Sequence, residues 1–168
     1  MNILAILVTA LVPMVLGFIW YHPKVFGSAW MRLSGMTEEK AKEGNMAVKF
    51  GLSYLFSFML AFVLNALVVH DSFVEGALYY ITNRTMVPEP GSQAAQWLDY
   101  YRTTLAPSNH IFTHGSFHAF FLIGLFIVLP VFATNAIFER KSFKYVALNA
   151  GYWILAITLM GGIIAVWR

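Results

Sequence analysis

Hydrophobic and polar positions are segregated along the chain into long blocks. Four windows contain no Asp, Glu, Lys or Arg: residues 1–23, 50–70, 103–138 and 145–167. Each window is at least as long as the roughly 20 apolar residues that cross a hydrocarbon core of about 30 Å. Since lipid offers no hydrogen-bond partner to the backbone, each window is predicted to form a membrane-spanning helix. The predicted helices cover about 2–21, 49–70, 114–138 and 145–167.

The connection between the second and third predicted helices, residues 71–113, has a periodicity of its own. Apolar residues recur there at helical spacing in two stretches. The first stretch holds Val74, Ala77, Leu78 and Ile81, and the second holds Ala94, Trp97, Leu98, Tyr101 and Leu105. Pro88–Gly91 lies between them and is typical of a turn. We predict two short amphipathic helices, rich in aromatic residues that favour the headgroup level of a membrane.

The pattern as a whole predicts an all-α polytopic membrane protein, a single domain over residues 1–168 with four transmembrane helices. Pro13 and Pro130 lie inside the first and third predicted helices, where we expect kinks. Composition agrees, since only 11% of the residues are charged, against about 25% in soluble domains. A soluble enzyme, a nucleic-acid binder and a disordered chain are thereby excluded. The absence of cysteine excludes disulfides and thiolate metal sites.

The positions of the basic residues predict the orientation of the helices. The first and third connections carry Lys24, Arg32, Lys40, Lys42, Lys49, Arg140, Lys141 and Lys144. The opposite side carries only Arg84, Arg102 and Arg168. Because cytoplasmic loops are enriched in Lys and Arg, we expect both termini outside and the first and third connections in the cytoplasm.

Histidine is the one ionisable residue type that clusters. His110, His114 and His118 recur every four residues around the start of the third predicted helix, and His70 ends the second. Residues four apart share a helix face and are separated by about 6 Å along the axis, so one adjacent pair could bind a single metal ion. A further ligand would then come from the second helix. The candidate ligands are His70, His114 and His118, with His110, Asp71 and Glu75 as additional candidates.

Several interpretations of these histidines remain open. Imidazole binds zinc, copper or iron, and a haem held by one histidine from each helix is an alternative. The plainer interpretation, which the sequence favours, is that the histidines are interfacial residues or form hydrogen bonds between helices.

Small and polar residues form a second pattern, which predicts close helix packing. The second predicted helix carries Ser53, Ser57, Ala61 and Asn65, each four residues apart, and the fourth carries Gly151 and Gly161. Small side chains let membrane helices approach each other closely. We therefore expect these residues to form packing seams through which two copies of the chain associate. A polar pathway for a solute is the alternative.

Two stretches of the sequence resemble the signatures of a known family. One is Gly17–Met31, and the other combines Asn149–Trp153 with Met160–Ile164 and Trp167. Together they are similar to the small bacterial integral membrane proteins of domain of unknown function 1761. The resemblance covers nearly the whole chain, with an enlarged connection around residues 82–108. It implies four membrane helices, and we accordingly expect a location in the bacterial inner membrane. It assigns no activity, substrate or cofactor.

These patterns favour a non-enzymatic membrane protein, structural or partner-binding, in contact with the lipid bilayer. We expect a homo-oligomer or a subunit of a membrane complex, with no nucleic-acid partner and no obligatory cofactor. Catalytic motifs such as His-Glu-x-x-His or Gly-x-Ser-x-Gly are absent from the sequence. A metal- or haem-binding membrane protein is the alternative. A small-solute transporter or channel is a weaker one, because no formal charge lies inside any predicted helix.

Overall fold

A computed structural model describes residues 2–82, 84 and 87–167, so that Arg168, one of the residues used for the orientation, lies outside the described residues. Four helical spans in the described chain are long and apolar enough to cross a membrane: Ile3–Trp20, Met46–Val69, Phe112–Phe138 and Phe143–Val166. The predicted all-α fold class with four spans is confirmed. Each span ends within three residues of the prediction.

The spans and their connections comprise eleven α-helices in the described residues. The first span is α1 (Ile3–Thr9) and α2 (Val12–Trp20), followed by α3 (Ser28–Ser34) and α4 (Glu38–Lys42). The second span is α5 (Met46–Val69), followed by α6 (Asp71–Ile81), α7 (Gln93–Tyr100) and α8 (Ala106–Asn109). The third span joins α9 (Phe112–His118) to α10 (Leu129–Phe138), and the fourth is α11 (Phe143–Val166). Within the described part of the chain, three segments are π-helical: Pro23–Gly27, Tyr101–Leu105 and Ala119–Val128.

Polar caps explain why two spans begin before their charge-free windows. The Asn45 side chain accepts hydrogen bonds from the backbone N–H groups of Ala47 and Val48, which starts α5. The Ser142 hydroxyl accepts one from Tyr145 and starts α11. Such caps satisfy N–H groups that have no partner within the helix. Lysines in the first turns are tolerated, because their long side chains reach the polar interface.

Both prolines within the spans mark interruptions of regular α-helix. The first span breaks after Thr9 and resumes at Val12, with Pro13 in the first turn of α2. The Tyr152 hydroxyl on α11 donates a 2.6 Å hydrogen bond to the Pro13 carbonyl. Pro130 occupies the first turn of α10, directly after the π-helical segment Ala119–Val128. In both places a proline, which has no N–H to donate, stands where a new helical segment begins.

The fourth span forms the centre of the bundle. Half of its apolar window is buried inside the chain, against 17% for the third span. The core packs side chains from all four spans, including Ile6, Leu64, Ile123 and Met160. The outer faces of the spans carry exposed apolar side chains such as Phe18, which is 66% exposed. A surface of this kind suits contact with lipid hydrocarbon.

Glycines allow the third and fourth spans to touch through their backbones. A Cβ atom added to Gly115 would lie 2.2 Å from the carbonyl oxygen of Gly161. One added to Gly162 would lie 2.4 Å from the Ser116 hydroxyl oxygen. Close approach of this kind is the usual role of small residues in membrane helices. The prediction that Gly161 packs helices together therefore describes a contact inside one chain.

The small-residue stripe of the second span is also used mainly within the chain. Ser57 and Ala61 are buried, Asn65 is half-buried and Ser53 is exposed. On the fourth span, a Cβ added to Gly151 would meet the Trp20 ring at 3.7 Å. The residues through which we expected two copies to associate are thus largely enclosed by their own bundle. Self-association stays a prediction, but this seam offers little surface for it.

The second connection contains both predicted amphipathic helices, which are α6 and α7. Leu78 and Leu98 are buried, while Tyr80, Ile81 and Tyr100 on the same helices are exposed. The second amphipathic helix, α7, is part of a longer helical stretch than its apolar pattern indicates, since it continues through the π-helical segment Tyr101–Leu105 into α8. The connection therefore forms a helical cap joining the ends of the second and third spans.

Candidate metal centre

Three of the predicted histidines meet where the second and third spans adjoin this cap. His70 follows α5, and His114 and His118 lie one turn apart on α9. The ring centroid of His70 is 5.2 Å from that of His114 and 4.7 Å from that of His118. The rings of His114 and His118 are 4.2 Å apart. One ring nitrogen from each residue can be chosen so that all three atoms lie within 4.8 Å of one another. We call these three residues the histidine cluster.

The backbone at His70 has a conformation that is uncommon outside glycine. Its φ of 64° lies in the left-handed region, where His70 ends α5 and immediately precedes α6. A residue with a Cβ has a cost of roughly 1–2 kcal/mol in this conformation. Strained residues tend to concentrate at functional sites, where the surrounding structure holds them in place. Here the residue with the left-handed backbone is also the one whose ring packs against His114 and His118 of the third span.

Two nitrogen atoms of the histidine cluster are buried without a hydrogen bond. They are His114 Nε2 and His118 Nδ1, for which the described part of the chain provides no partner. Buried polar groups are nearly always paired in native proteins. Thr9, Trp20 and Ser116 share this property, so an unpaired atom alone does not define a site. The histidines differ because two such atoms belong to one cluster of metal-binding side chains.

The contact between the third and fourth spans helps to position the cluster. Gly115 directly follows His114, and its backbone lies against Gly161 of α11. Gly162 similarly leaves space for the Ser116 hydroxyl. These contacts hold α9, which carries His114 and His118, close to the central helix α11.

His110 is not part of the helix that carries His114 and His118. It follows α8, and Ile111 then has an extended backbone (φ −121°, ψ 148°) before α9 begins at Phe112. The spacing of four residues therefore does not place His110 on the helix face shared by His114 and His118. Its Nε2 atom lies 3.4 Å from Oδ1 of Asp71 instead.

The two acidic candidates also have partners outside the histidine cluster. Asp71 Oδ1 accepts a 2.9 Å hydrogen bond from the Tyr101 hydroxyl. Glu75 forms an ion pair with Arg102 at 3.6 Å, at the exposed edge of the cap. Of the six predicted candidates, the structure thus brings together the three histidines, pairs His110 with Asp71 and pairs Glu75 with Arg102.

This arrangement is suited to a single ion with nitrogen ligands. Zinc binds imidazole nitrogen at 2.0–2.1 Å, so three nitrogens in a tetrahedral site lie about 3.4 Å apart. Closing the present separations of up to 4.8 Å requires shifts of about 1 Å, which side-chain rotation can supply. The rings lie edge to face in mutual contact, which leaves no space for a porphyrin between any two of them.

A second cluster, which sequence reasoning missed, lies at the opposite end of the bundle. The Trp30 indole N–H donates a 3.3 Å hydrogen bond to Asn149 Oδ1. Tyr21 packs against both Trp30 and Tyr152, with ring centroids 5.4 and 5.1 Å apart. Burial, followed by the proximity of Tyr152 and Tyr145, raises the pKa of Tyr21 above its usual range. Trp, Tyr and Gly occur in both Gly17–Met31 and Asn149–Trp153. The contacts between these two stretches, however, form only in the folded chain.

A groove of about 380 Å³ lies beside this second cluster, between the first, second and fourth spans. Its walls are mostly apolar and aromatic, and the lining residues that carry hydroxyl groups are Ser53, Ser57, Tyr21 and Tyr152. Asn65, a polar residue of the stripe for which a solute pathway was the alternative, does not line this groove. The groove therefore does not support the transporter interpretation.

Fold and site together define a helical protein with four apolar spans, compatible with a multi-pass membrane protein, that gathers three histidines at one end. The family model described as "Protein of unknown function (DUF1761)" matches residues 4–88 and 92–165. The chain belongs to this family, which confirms the resemblance seen in the sequence. The second connection, expected to be an enlargement, falls within the match except for residues 89–91. No curated protein and no solved structure matches the chain.

Proposed function

We propose that this protein is an integral membrane protein that binds a transition-metal ion through His70, His114 and His118. The observation that carries the proposal is the convergence of three imidazoles from two spans, with candidate ligand atoms within 4.8 Å of one another. The sequence supplied the residues, but their convergence depends on the turn at His70 and on the packing of α9. The proposal therefore rests on tertiary geometry.

The chemistry of the ligands indicates which ions would bind. Three neutral imidazoles suit zinc, copper, nickel or ferrous iron, whereas magnesium and calcium require oxygen ligands. Three protein ligands leave one coordination position for water or an exogenous ligand. Contact between all three rings also favours a single ion over a haem. We propose zinc or copper as the probe ions, since both bind imidazole tightly.

The plainer interpretation, in which the histidines only hold helices together, accounts for the hydrogen bond between His118 and the Val68 backbone but leaves two buried nitrogens unpaired. A histidine that joins two helices by hydrogen bonding should have a partner for its buried nitrogen. His114 Nε2 and His118 Nδ1 have none in the part of the chain that is described. A metal ion would satisfy both atoms, because each nitrogen can direct its lone pair at the ion.

The distribution of basic residues supports a proposed orientation. We place both termini and the histidine cluster at the outer face of a bacterial inner membrane, with the first and third connections in the cytoplasm. Lys141 Nζ, in the third connection, donates a 3.1 Å hydrogen bond to the carbonyl of Ser34 in the first. The proposed orientation puts both of these connections on the cytoplasmic side.

Metal content per chain tests the proposal. The purified protein in mild detergent is loaded with Zn²⁺, separated from free ion and analysed for zinc. We expect about one tightly bound zinc per chain in the wild type and less than a tenth of that in the His114→Ala/His118→Ala double variant. His22→Ala is the matched control, because His22 lies at the other end of the bundle, where its Nδ1 accepts a hydrogen bond from the Lys24 N–H.

The outcomes separate the two interpretations of the cluster. A wild-type protein that binds no zinc or copper contradicts the proposal. So does a double variant that elutes as the wild type on size exclusion and retains its metal. Equal loss of metal in His22→Ala would also contradict it, since binding would then not depend on the cluster.

A further inference from the structure

We infer that His110 and Asp71 form a capture site, which receives the metal ion at the protein surface and passes it to the histidine cluster. This inference rests on the proposed function, since it names the route by which the same ion reaches the same site. The capture site is defined as the facing side chains of His110 and Asp71, whose Nε2 and Oδ1 atoms lie 3.4 Å apart.

The capture site adjoins the cluster through the chain itself. Asp71 is the residue after His70, so their Cα atoms are about 3.8 Å apart. His110 precedes His114 by four residues, with the extended Ile111 between α8 and α9. Each residue of the capture site is thus bonded through a short segment to a ligand of the histidine cluster. An ion held by the first pair would lie close to the second site.

The capture site and the histidine cluster are both half-buried, but two ring nitrogens of the cluster are enclosed. The side chains of His110 and Asp71 are 25% and 29% exposed. The ring nitrogens His114 Nε2 and His118 Nδ1 are buried, and His118 lies about 6 Å further along its helix than His114. The potential ligands therefore form a series that starts at a half-buried pair and ends at two enclosed ring nitrogens. An ion could move along it by exchanging one ligand at a time, without losing all of its protein contacts.

The two sites differ in chemistry in a way that favours transfer inwards. The Asp71 carboxylate supplies the negative charge that attracts a cation from solution. In the tautomer that carries its proton on Nδ1, the Nε2 atom of His110 would offer its lone pair to the same ion. One oxygen and one nitrogen form a weak, exchangeable site, whereas three imidazoles bind zinc or copper more strongly. The ion would consequently pass from the His110–Asp71 pair to the histidine cluster.

Tyr101 positions the carboxylate of the capture site. Its hydroxyl donates a 2.9 Å hydrogen bond to the same Oδ1 atom that faces His110. Tyr101 itself is buried and begins the π-helical segment Tyr101–Leu105. Short π-helical elements occur frequently at functional sites. Through Tyr101, the cap holds Asp71 in the orientation that a surface ligand requires.

A purely structural role is the competing explanation, because a histidine–aspartate contact would also tie α8 to α6. His110→Gln separates the two explanations. Glutamine can still donate a hydrogen bond to Asp71 but is a poor metal ligand, so it should preserve a structural contact and abolish capture. Asp71→Asn removes the attracting charge while preserving size. Glu75→Gln is its matched control, since Glu75 is a nearby carboxylate that pairs with Arg102.

The experiment measures how fast Zn²⁺ alone binds to the full chain in detergent micelles, by stopped-flow transfer from a fluorescent chelator. We expect His110→Gln and Asp71→Asn each to slow association at least fivefold. Dissociation should slow equally, because an ion leaves by the route through which it arrives, so the Kd should stay within twofold of the wild type. Glu75→Gln should leave both rates within twofold of the wild type.

Each other outcome overturns the inference. Unchanged rates in both variants show that the pair has a structural role only. A raised Kd with faster dissociation shows that His110 or Asp71 is a ligand of the bound ion. Equal slowing in Glu75→Gln shows a general charge effect. Failure of the proposed function is distinguishable from all of these, because the wild-type protein would then bind no zinc.

Discussion

His70 and His118 lie on different spans, yet their ring centroids are only 4.7 Å apart. The contact joins the end of the second span to the first part of the third, although 47 residues separate the two histidines in the sequence. Their proximity depends on the left-handed backbone of His70, with its φ of 64°. The same residue therefore serves as a helix terminator and as a candidate ligand, and the two roles make separable predictions.

Two substitutions of His70 should separate its effect on stability from its effect on metal binding. In His70→Gly, the left-handed backbone has no steric cost, so the metal-free protein should be about 1 kcal/mol more stable than His70→Ala. Both variants should lose most of their bound zinc, because both lack the imidazole. Thermal unfolding in detergent and metal analysis measure the two effects. Equal stability of the two variants would contradict the strain that we assign to His70.

The contact between α9 and α11 predicts a large effect for a single added methyl group. Gly115→Ala would place its Cβ atom 2.2 Å from the Gly161 carbonyl oxygen, so the helices must separate. Overpacking of this kind costs about 1–3 kcal/mol, and the displaced α9 should also bind zinc more weakly. Gly51→Ala is the control, because no heavy atom of the described residues lies within 4 Å of the added Cβ. Equal unfolding temperatures for the two variants would argue against this interface.

Substitution of Ala61 tests the stability of a single chain before it tests association between two copies. Ala61 is fully buried within one chain, so Ala61→Leu should destabilise the fold itself by about 1–3 kcal/mol. Met59→Leu, at a position that is 57% exposed, should have little effect. Light scattering of the wild type and both variants measures the oligomeric state beside the unfolding temperature. An Ala61→Leu protein with unchanged stability but a smaller oligomer would show that the seam joins two copies.

The hydrogen bond of the Tyr152 hydroxyl links the first and fourth spans. Tyr152→Phe removes the buried 2.6 Å hydrogen bond to the Pro13 carbonyl, which should lower stability by about 1 kcal/mol. Zinc content should not change, because the histidine cluster lies at the other end of the bundle. Tyr80→Phe, at an 84% exposed position, provides the matched control. A loss of zinc in Tyr152→Phe would contradict the separation of the two ends.

The sequence was sufficient for the spans and for the histidines of the cluster. Runs without charge require helices in lipid, and His114 and His118 share a helix face wherever that helix lies. Sequence spacing failed at His110, because the extended backbone of Ile111 interrupts the helical repeat. Residues 110–112 contain no glycine or proline that would signal this local conformation in the sequence.

Contacts between distant parts of the chain were beyond the one-dimensional pattern. Small residues predicted close packing, but the pattern could not say whether Gly161 meets another copy or, as observed, Gly115 of its own chain. The hydrogen bond from Trp30 to Asn149 likewise joins residues 119 positions apart. Such pairings follow from how the bundle assembles as a whole, since a helix face alone does not specify its partner.

X-ray absorption spectroscopy at the zinc edge tests the central claim most directly, because it identifies the atoms around the ion. For the zinc-loaded wild-type protein, we predict three imidazole nitrogens at 2.0–2.1 Å with one further light atom. The multiple-scattering features of the imidazole rings should be present, and they should be lost in the His114→Ala/His118→Ala variant. A first shell of oxygen atoms alone, without imidazole scattering, would contradict the proposed three-histidine site.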